Sequence, residues 1–165
     1  MRTLYICRHA KSSWADPGQD DFDRPLNERG LHDAPLMARL FRERGEPLDL
    51  IVTSPAVRAL TTARFFAREL KLENAFVQEP RLFHATSTTI NAIVNTLPVN
   101  AQRVMLFGHN PGVTEVLAHF TGDHVDNLPT CGLARIDFTL NEWELAGRDL
   151  GTLVWFDYPK RQPGA

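Results

Sequence analysis

The sequence predicts an α/β sandwich, three layers deep (α/β/α), with a largely parallel central sheet. Three observations point there. Short apolar runs rich in β-branched or aromatic residues alternate with longer stretches of helical period, the order that builds parallel sheets flanked by helices. A chain of 165 residues suits one domain, spanning 1–165, with a real core. Its apolar fraction of 43% and charged fraction of 23% are those of an ordinary globular protein.

Taken in order, residues 3–8 (TLYICR) read as the first buried strand. Residues 31–44 are helical in pattern, with Asn27 as cap and Pro35 tolerable only near the first turn. Residues 48–53 (LDLIVT) form a second strand. Residues 56–70 follow as a helix with Val57, Leu60, Ala63, Phe66 and Ala67 on one face and Arg64 and Arg68 elsewhere. Residues 87–97 gather Ile90, Ile93, Val94 and Leu97 on a helical face, and 103–108 (RVMLFG) are a third buried strand. Residues 112–121 place Val113, Val116, Leu117 and Phe120 together as a further helix. Residues 133–140 (LARIDFTL) alternate like a half-exposed strand, and 152–157 (TLVWFD) pair with it as a hairpin across a longer loop. From Tyr158 to Ala165 the chain reads as a tail. There is no repeat and no low-complexity linker.

Bulk properties exclude several functions. A net charge of -2 offers no argument for nucleic acid or an anionic membrane as partner. The apolar run from Thr3 to Cys7 is too short for a signal-peptide core or a membrane span. The expected location is therefore the cytoplasm, where Cys7 and Cys131 would stay free. The two cysteines have no zinc-ribbon spacing and make no disulfide framework.

The chemistry collects at three strand exits. The first strand ends in Arg8-His9. The second ends in Thr53-Ser54-Pro55, with Arg58 one helical turn in. The third ends in Gly108-His109-Asn110-Pro111. In parallel sheets ligands sit beyond the carboxyl ends of the strands. Two arginines and two histidines converging there suit a phosphate: guanidinium groups fork onto its oxygens, and histidine serves as nucleophile or donor. Each exit alone is an ordinary loop; it is the three together that point to a phosphate site.

Four motifs, in order over residues 5 to about 115, carry a family resemblance. Arg8-His9-Ala10-Lys11-Ser12-Ser13-Trp14 resembles the RHG or RHA signature of the histidine phosphatase superfamily, also called phosphoglycerate-mutase-like. Asp23-Arg24-Pro25-Leu26-Asn27-Glu28-Arg29-Gly30 is similar to the element that follows it. Ser54-Pro55-Ala56-Val57-Arg58-Ala59-Leu60-Thr61-Thr62-Ala63 is similar to its SPxxRAxxTA helix start. Gly108-His109-Asn110-Pro111 resembles its last motif, in the form typical of SixA-type phosphohistidine phosphatases.

The resemblance implies that His9 is the nucleophile and that Arg8, Arg58 and His109 hold the phosphoryl oxygens. Ser12 joins them as a substrate-binding candidate at the rim, alongside Lys11 and Trp14. Guanidinium charge replaces a metal, so neither metal nor cofactor is expected. Where many members carry a carboxylate proton donor, this chain has Arg81-Leu82-Phe83-His84-Ala85, with His84 at the expected position and Glu79 nearby. A phosphorylated imidazole leaves with less acid help than an alkoxide. The missing carboxylate, and the lack of long inserts over the site, favour phosphohistidine on a protein, such as a histidine-phosphotransfer domain. A small phosphorylated metabolite is the alternative substrate. A non-catalytic phosphate-binding module and a metal-dependent hydrolase are rival functions. His119 and His124 have no carboxylate motif to support the latter. His32, Trp143 and Trp155 read as structural, and Thr130 as a turn residue able to face the site.

Overall fold

The computed structural model describes residues 1–162. Strand β1 (Arg2–Arg8) opens the chain and leads through a 3₁₀ turn at Asp21–Asp23 to helix α1 (Glu28–Glu43). Then come β2 (Leu50–Thr53), α2 (Val57–Leu70), β3 (Phe76–Gln78), α3 (Ser87–Asn95), β4 (Arg103–Gly108) and α4 (Gly112–Thr121). Strands β5 (Leu133–Phe138) and β6 (Gly151–Asp157) follow. The six strands form one sheet in the order β3-β2-β4-β1-β5-β6. The pairs β3–β2, β2–β4 and β4–β1 are parallel, and β5 alone runs against the rest.

The sheet is the middle layer because both its faces are apolar. Along β1, Leu4 and Ile6 point to one side and Tyr5 and Cys7 to the other, all at most 1% exposed. Side chains alternate across a pleated strand, so a continuous apolar run is the mark of a strand covered twice. Leu4 and Ile6 pack with Ile90, Ile93 and Val94 of α3 and Val113, Val116, Leu117 and Phe120 of α4. Tyr5 and Cys7 pack with Met37 and Phe41 of α1 and Phe66 of α2. Among the described residues, no helix is long and apolar enough to cross a membrane.

Four local readings need correction. The first helix starts at Glu28, because the Asn27 side chain accepts the Gly30 N–H at 2.9 Å and caps it there. The earlier start puts Pro35 in the helix interior rather than its first turn. Strand β3 carries no apolar pattern, since two of its three residues are exposed at the sheet edge. The chain from Tyr158 is no tail as far as Gln162: Pro159–Arg161 form a 3₁₀ turn with Pro159 buried. Residues 163–165 of that expected tail lie outside the described residues.

Candidate active site

Because β2, β4 and β1 are neighbours in the sheet, their three exits lie side by side. The backbone ties them together. His9 N–H donates to Gly108 O at 3.1 Å, and Ser54 N–H to Phe107 O at 3.0 Å. Cys131 N–H reaches both Arg8 O (3.0 Å) and His9 O (3.1 Å). Beyond them opens a cavity of about 330 Å³, lined by Arg8, His9, Ser12, Arg58, His84 and His109, with Lys11, Trp14, Asp21, Arg24, Asn110 and Thr130. All six side chains expected at the site are there.

His9 is 7% exposed. Its Nδ1 lies 2.7 Å from Ala10 O, which can only accept, so the ring proton sits on Nδ1 and Nε2 keeps its lone pair. Ala10 is itself held by its N–H to Thr62 Oγ1 (3.0 Å), whose hydroxyl donates to Arg58 O (2.7 Å). Burial pushes the His9 pKa down to about 3. The Ala10 hydrogen bond opposes that, and Arg58, Arg8 and Arg24 add to it. The imidazole is thus neutral at physiological pH and chemically fit to attack an electrophile.

His109 stands 5.2 Å from His9, ring centre to ring centre. Its Nε2 is 2.7 Å from Ser54 Oγ. Burial, then the neighbouring His9, Arg58 and His84, lower its pKa to about 2. Arg8 donates through Nη1 to Leu128 O at 3.1 Å. Arg8 Nε, Arg58 Nε and His109 Nδ1 are buried without a partner among the described residues.

Arg58, in the first turn of α2, is 3% exposed. What it meets was missed in the sequence. Asp21 accepts Arg58 Nη1 on its backbone oxygen (2.6 Å) and Nη2 on Oδ2 (3.0 Å). The same carboxylate takes Arg24 Nε (3.0 Å) and His84 Nε2 (2.8 Å). Burial alone would raise the Asp21 pKa. The hydrogen bonds from His84 and Arg24, with the charge and hydrogen bond of Arg58, outweigh it and hold the carboxyl at about 2. Arg24 also donates to Ser12 Oγ at 2.8 Å and lies 3.5 Å over the Trp14 ring, so Ser12 faces the cavity with an arginine already on it.

His84 sits on the rim at a backbone φ of 53°, its ring 6.1 Å from His109. The loop that carries it is braced from behind. A Cβ on Gly112, at the start of α4, would lie 2.1 Å from Ala85 O. Likewise a Cβ on Gly30 would lie 2.2 Å from Lys11 O, on the loop after His9. Glu79, the other donor candidate, is not among the cavity's lining residues. Its two carboxylate oxygens take Arg81, each at 3.0 Å.

Residues 4–83 match the family model of the histidine phosphatase superfamily, branch 1. A crystal structure from Agrobacterium tumefaciens, of a protein assigned as the phosphohistidine phosphatase SixA, is 32% identical. It matches with a TM-score of 0.82 over 96% of this chain and 98% of that one. The chain belongs to the histidine phosphatase superfamily. It is accordingly a histidine-type phosphatase. The superfamily fold is shared by a protein histidine phosphatase SixA complexed with tungstate, at 21% identity and a TM-score of 0.77 over 96% of this chain and 98% of that one. An uncharacterised chloroplast protein of Arabidopsis thaliana is 29% identical over 154 residues, 88% of this chain and 70% of its own length. The superfamily's first motif explains why His9 and Arg8 share one strand end. Asp21 lies just before the second motif, and only its three partners reveal it.

Proposed function

We propose that this phosphatase hydrolyses phosphohistidine on a protein by way of a phosphorylated His9. The observation that carries the reading is the state of Asp21, the carboxylate that faces the cavity. Hydrogen bonds from His84 and Arg24, with the charge and hydrogen bond of Arg58, keep it ionised down to about pH 2, so it has no proton to give an alkoxide near neutral pH. A phosphorylated imidazole needs little such help, because its second ring nitrogen already carries the proton as the first departs.

In the first step His9 Nε2 attacks phosphorus while the substrate's P–N bond breaks, and the bonding pair leaves with the substrate imidazole. Arg8, Arg58 and His109 surround the phosphoryl oxygens and Arg24 adds charge at the edge. Water then attacks from the vacated side, one of its protons passing to solvent. The bond to His9 breaks with its pair returning to Nε2, and inorganic phosphate leaves. No metal takes part in this reading, since guanidinium groups supply the positive charge. One catalytic domain in the cytoplasm accords with it, as do the free, buried Cys7 and Cys131.

The test is turnover of a phosphohistidine-bearing protein domain against a panel of phosphate esters, with and without EDTA. Preference for the phosphoramidate in both conditions is expected. Preference for esters, or loss with EDTA restored by one divalent ion, overturns the reading. A second reading, a phosphatase for small phosphomonoesters, draws support from His84. Its ring lines the cavity and its Nε2 is held 2.8 Å from Asp21 Oδ2, placed to serve the leaving oxygen of an ester.

A further inference from the structure

The catalytic cavity has a neighbour. A groove of about 410 Å³ runs from Lys11 and Thr130, which line both spaces, out to Arg29, Pro129, Tyr158 and Lys160. Its lining combines the apolar Pro129, Tyr158 and buried Pro159 with the basic Lys11, Arg29 and Lys160. The groove's carboxylate, Asp33, is 3% exposed and already bonded to Arg29 Nε at 3.1 Å. Three cations against one buried, paired carboxylate leave the groove positive on a chain whose net charge is -2. At the mouth of the catalytic cavity Trp14 is 73% exposed.

We infer that this groove receives an acidic stretch of the polypeptide that carries the phosphorylated residue. The inference deepens the reading of His9 as a protein-directed nucleophile and rests on it. Charge selects the occupant: carboxylates beside the phosphorylated residue meet Lys11, Arg29 and Lys160 while the phosphoryl group sits among Arg8, Arg58 and His109. Geometry sets the direction, because a chain leaving the catalytic cavity past Lys11 and Thr130 enters the groove at once. Exposed ion pairs are individually weak, so the groove contributes selectivity between partners and speed of encounter rather than tight binding.

The experiment uses the full chain and four synthetic peptides, each with one phosphorylated residue. Two carry phosphohistidine and two phosphoserine, and within each pair the flanks are glutamates or glutamines. The readout is the ratio of kcat/KM for the glutamate peptide over its glutamine twin, in wild type, Lys160→Glu and Lys160→Arg. Taking the ratio within each enzyme cancels any general damage. In wild type the ratio should be about fivefold, the size that two or three exposed ion pairs give, and should shrink with added salt. Lys160→Glu should bring it to one or below, and Lys160→Arg should keep it. A wild-type ratio of one, or a ratio that survives Lys160→Glu, overturns the inference. So does turnover confined to phosphoimidazole and other small phosphates, with no peptide accepted. If the phosphoserine pair is hydrolysed and the phosphohistidine pair is not, the proposed substrate falls, while the groove is still decided by the phosphoserine ratio.

Discussion

Asp21 grips Arg58 at two points, taking Nη1 on its backbone oxygen at 2.6 Å and Nη2 on Oδ2 at 3.0 Å. The carboxylate therefore already occupies part of the guanidinium that a phosphoryl group needs. Substrate and Asp21 share Arg58, and the negative charge of one weakens the hold on the other. Asp21→Asn keeps an acceptor for Arg58 but removes the charge. Inhibition by inorganic phosphate or vanadate should then tighten by about fivefold, as for loss of one part-exposed charge contact. Unchanged inhibition constants would mean that Asp21 only anchors its loop.

His9→Ala should abolish turnover by at least about a thousandfold, the scale on which nucleophiles act. Rapid quench of the wild type with labelled substrate should trap a phosphate that acid releases and base does not. The variant should trap none. A labelled His9→Ala protein would move the nucleophile elsewhere.

Arg58→Ala should cost about a hundredfold in kcat, the size of losing one group aimed at developing charge. Burial adds a second effect that an exposed helix arginine would not have. With Arg58 gone, Asp21 keeps Arg24 and His84 but loses its most buried partner. A fall of about 1–2 kcal/mol in stability should accompany the rate loss. Denaturant melts and single-turnover rates on the same preparation separate the two.

Both buried histidines couple stability to pH. Their folded pKa values, about 3 for His9 and about 2 for His109, lie below the ordinary 6.5. The unfolded chain therefore binds protons that the folded chain refuses, and stability rises with pH through that window. It should be at its plateau above about pH 7 and fall as pH drops from 6.5 towards 4, at up to about 2.7 kcal/mol per unit from the two groups together. His9→Asn should flatten the slope. Equal slopes in urea melts of both proteins would show that His9 titrates normally.

His84→Ala should slow hydrolysis of a phosphate ester by about tenfold or more and that of phosphoimidazole by much less, since the poorer leaving group depends more on a donated proton. Asp21→Asn should copy part of this split, because the 2.8 Å bond to Asp21 orients the His84 ring. Equal small losses on both substrates would leave His84 as a rim residue.

The layered sheet and the gathering of Arg8, His9, Arg58 and His109 at one cavity were legible in the sequence because three strand exits carry cationic or imidazole groups that only together single out one place. Apolar runs mark β1, β2 and β4, and the motifs fall at their exits. Strand β3 was hidden because Phe76, Val77 and Gln78 sit at an exposed edge and are too few to show a period. Asp21 was hidden for a different reason. It stands among Asp20 and Asp23 in a loop, where acids ordinarily face water, and only the folded chain brings Arg58 to it from 37 residues away. Thr62 was in plain view within a quoted motif, yet its hold on Ala10 depends on helix α2 meeting the loop after β1 in space.

The glycines behind the site limit how the enzyme can change. Gly30 lies against the loop after His9 and Gly112 against the loop carrying His84, each too close for a side chain. Neither loop can settle inward, and any larger residue at either glycine would drive one outward. The width of the mouth is therefore set by backbone seated on backbone. New substrate preferences are open to this scaffold mainly through exchange of the side chains at the mouth, Trp14 and His84, while the loops beneath them stay where they are.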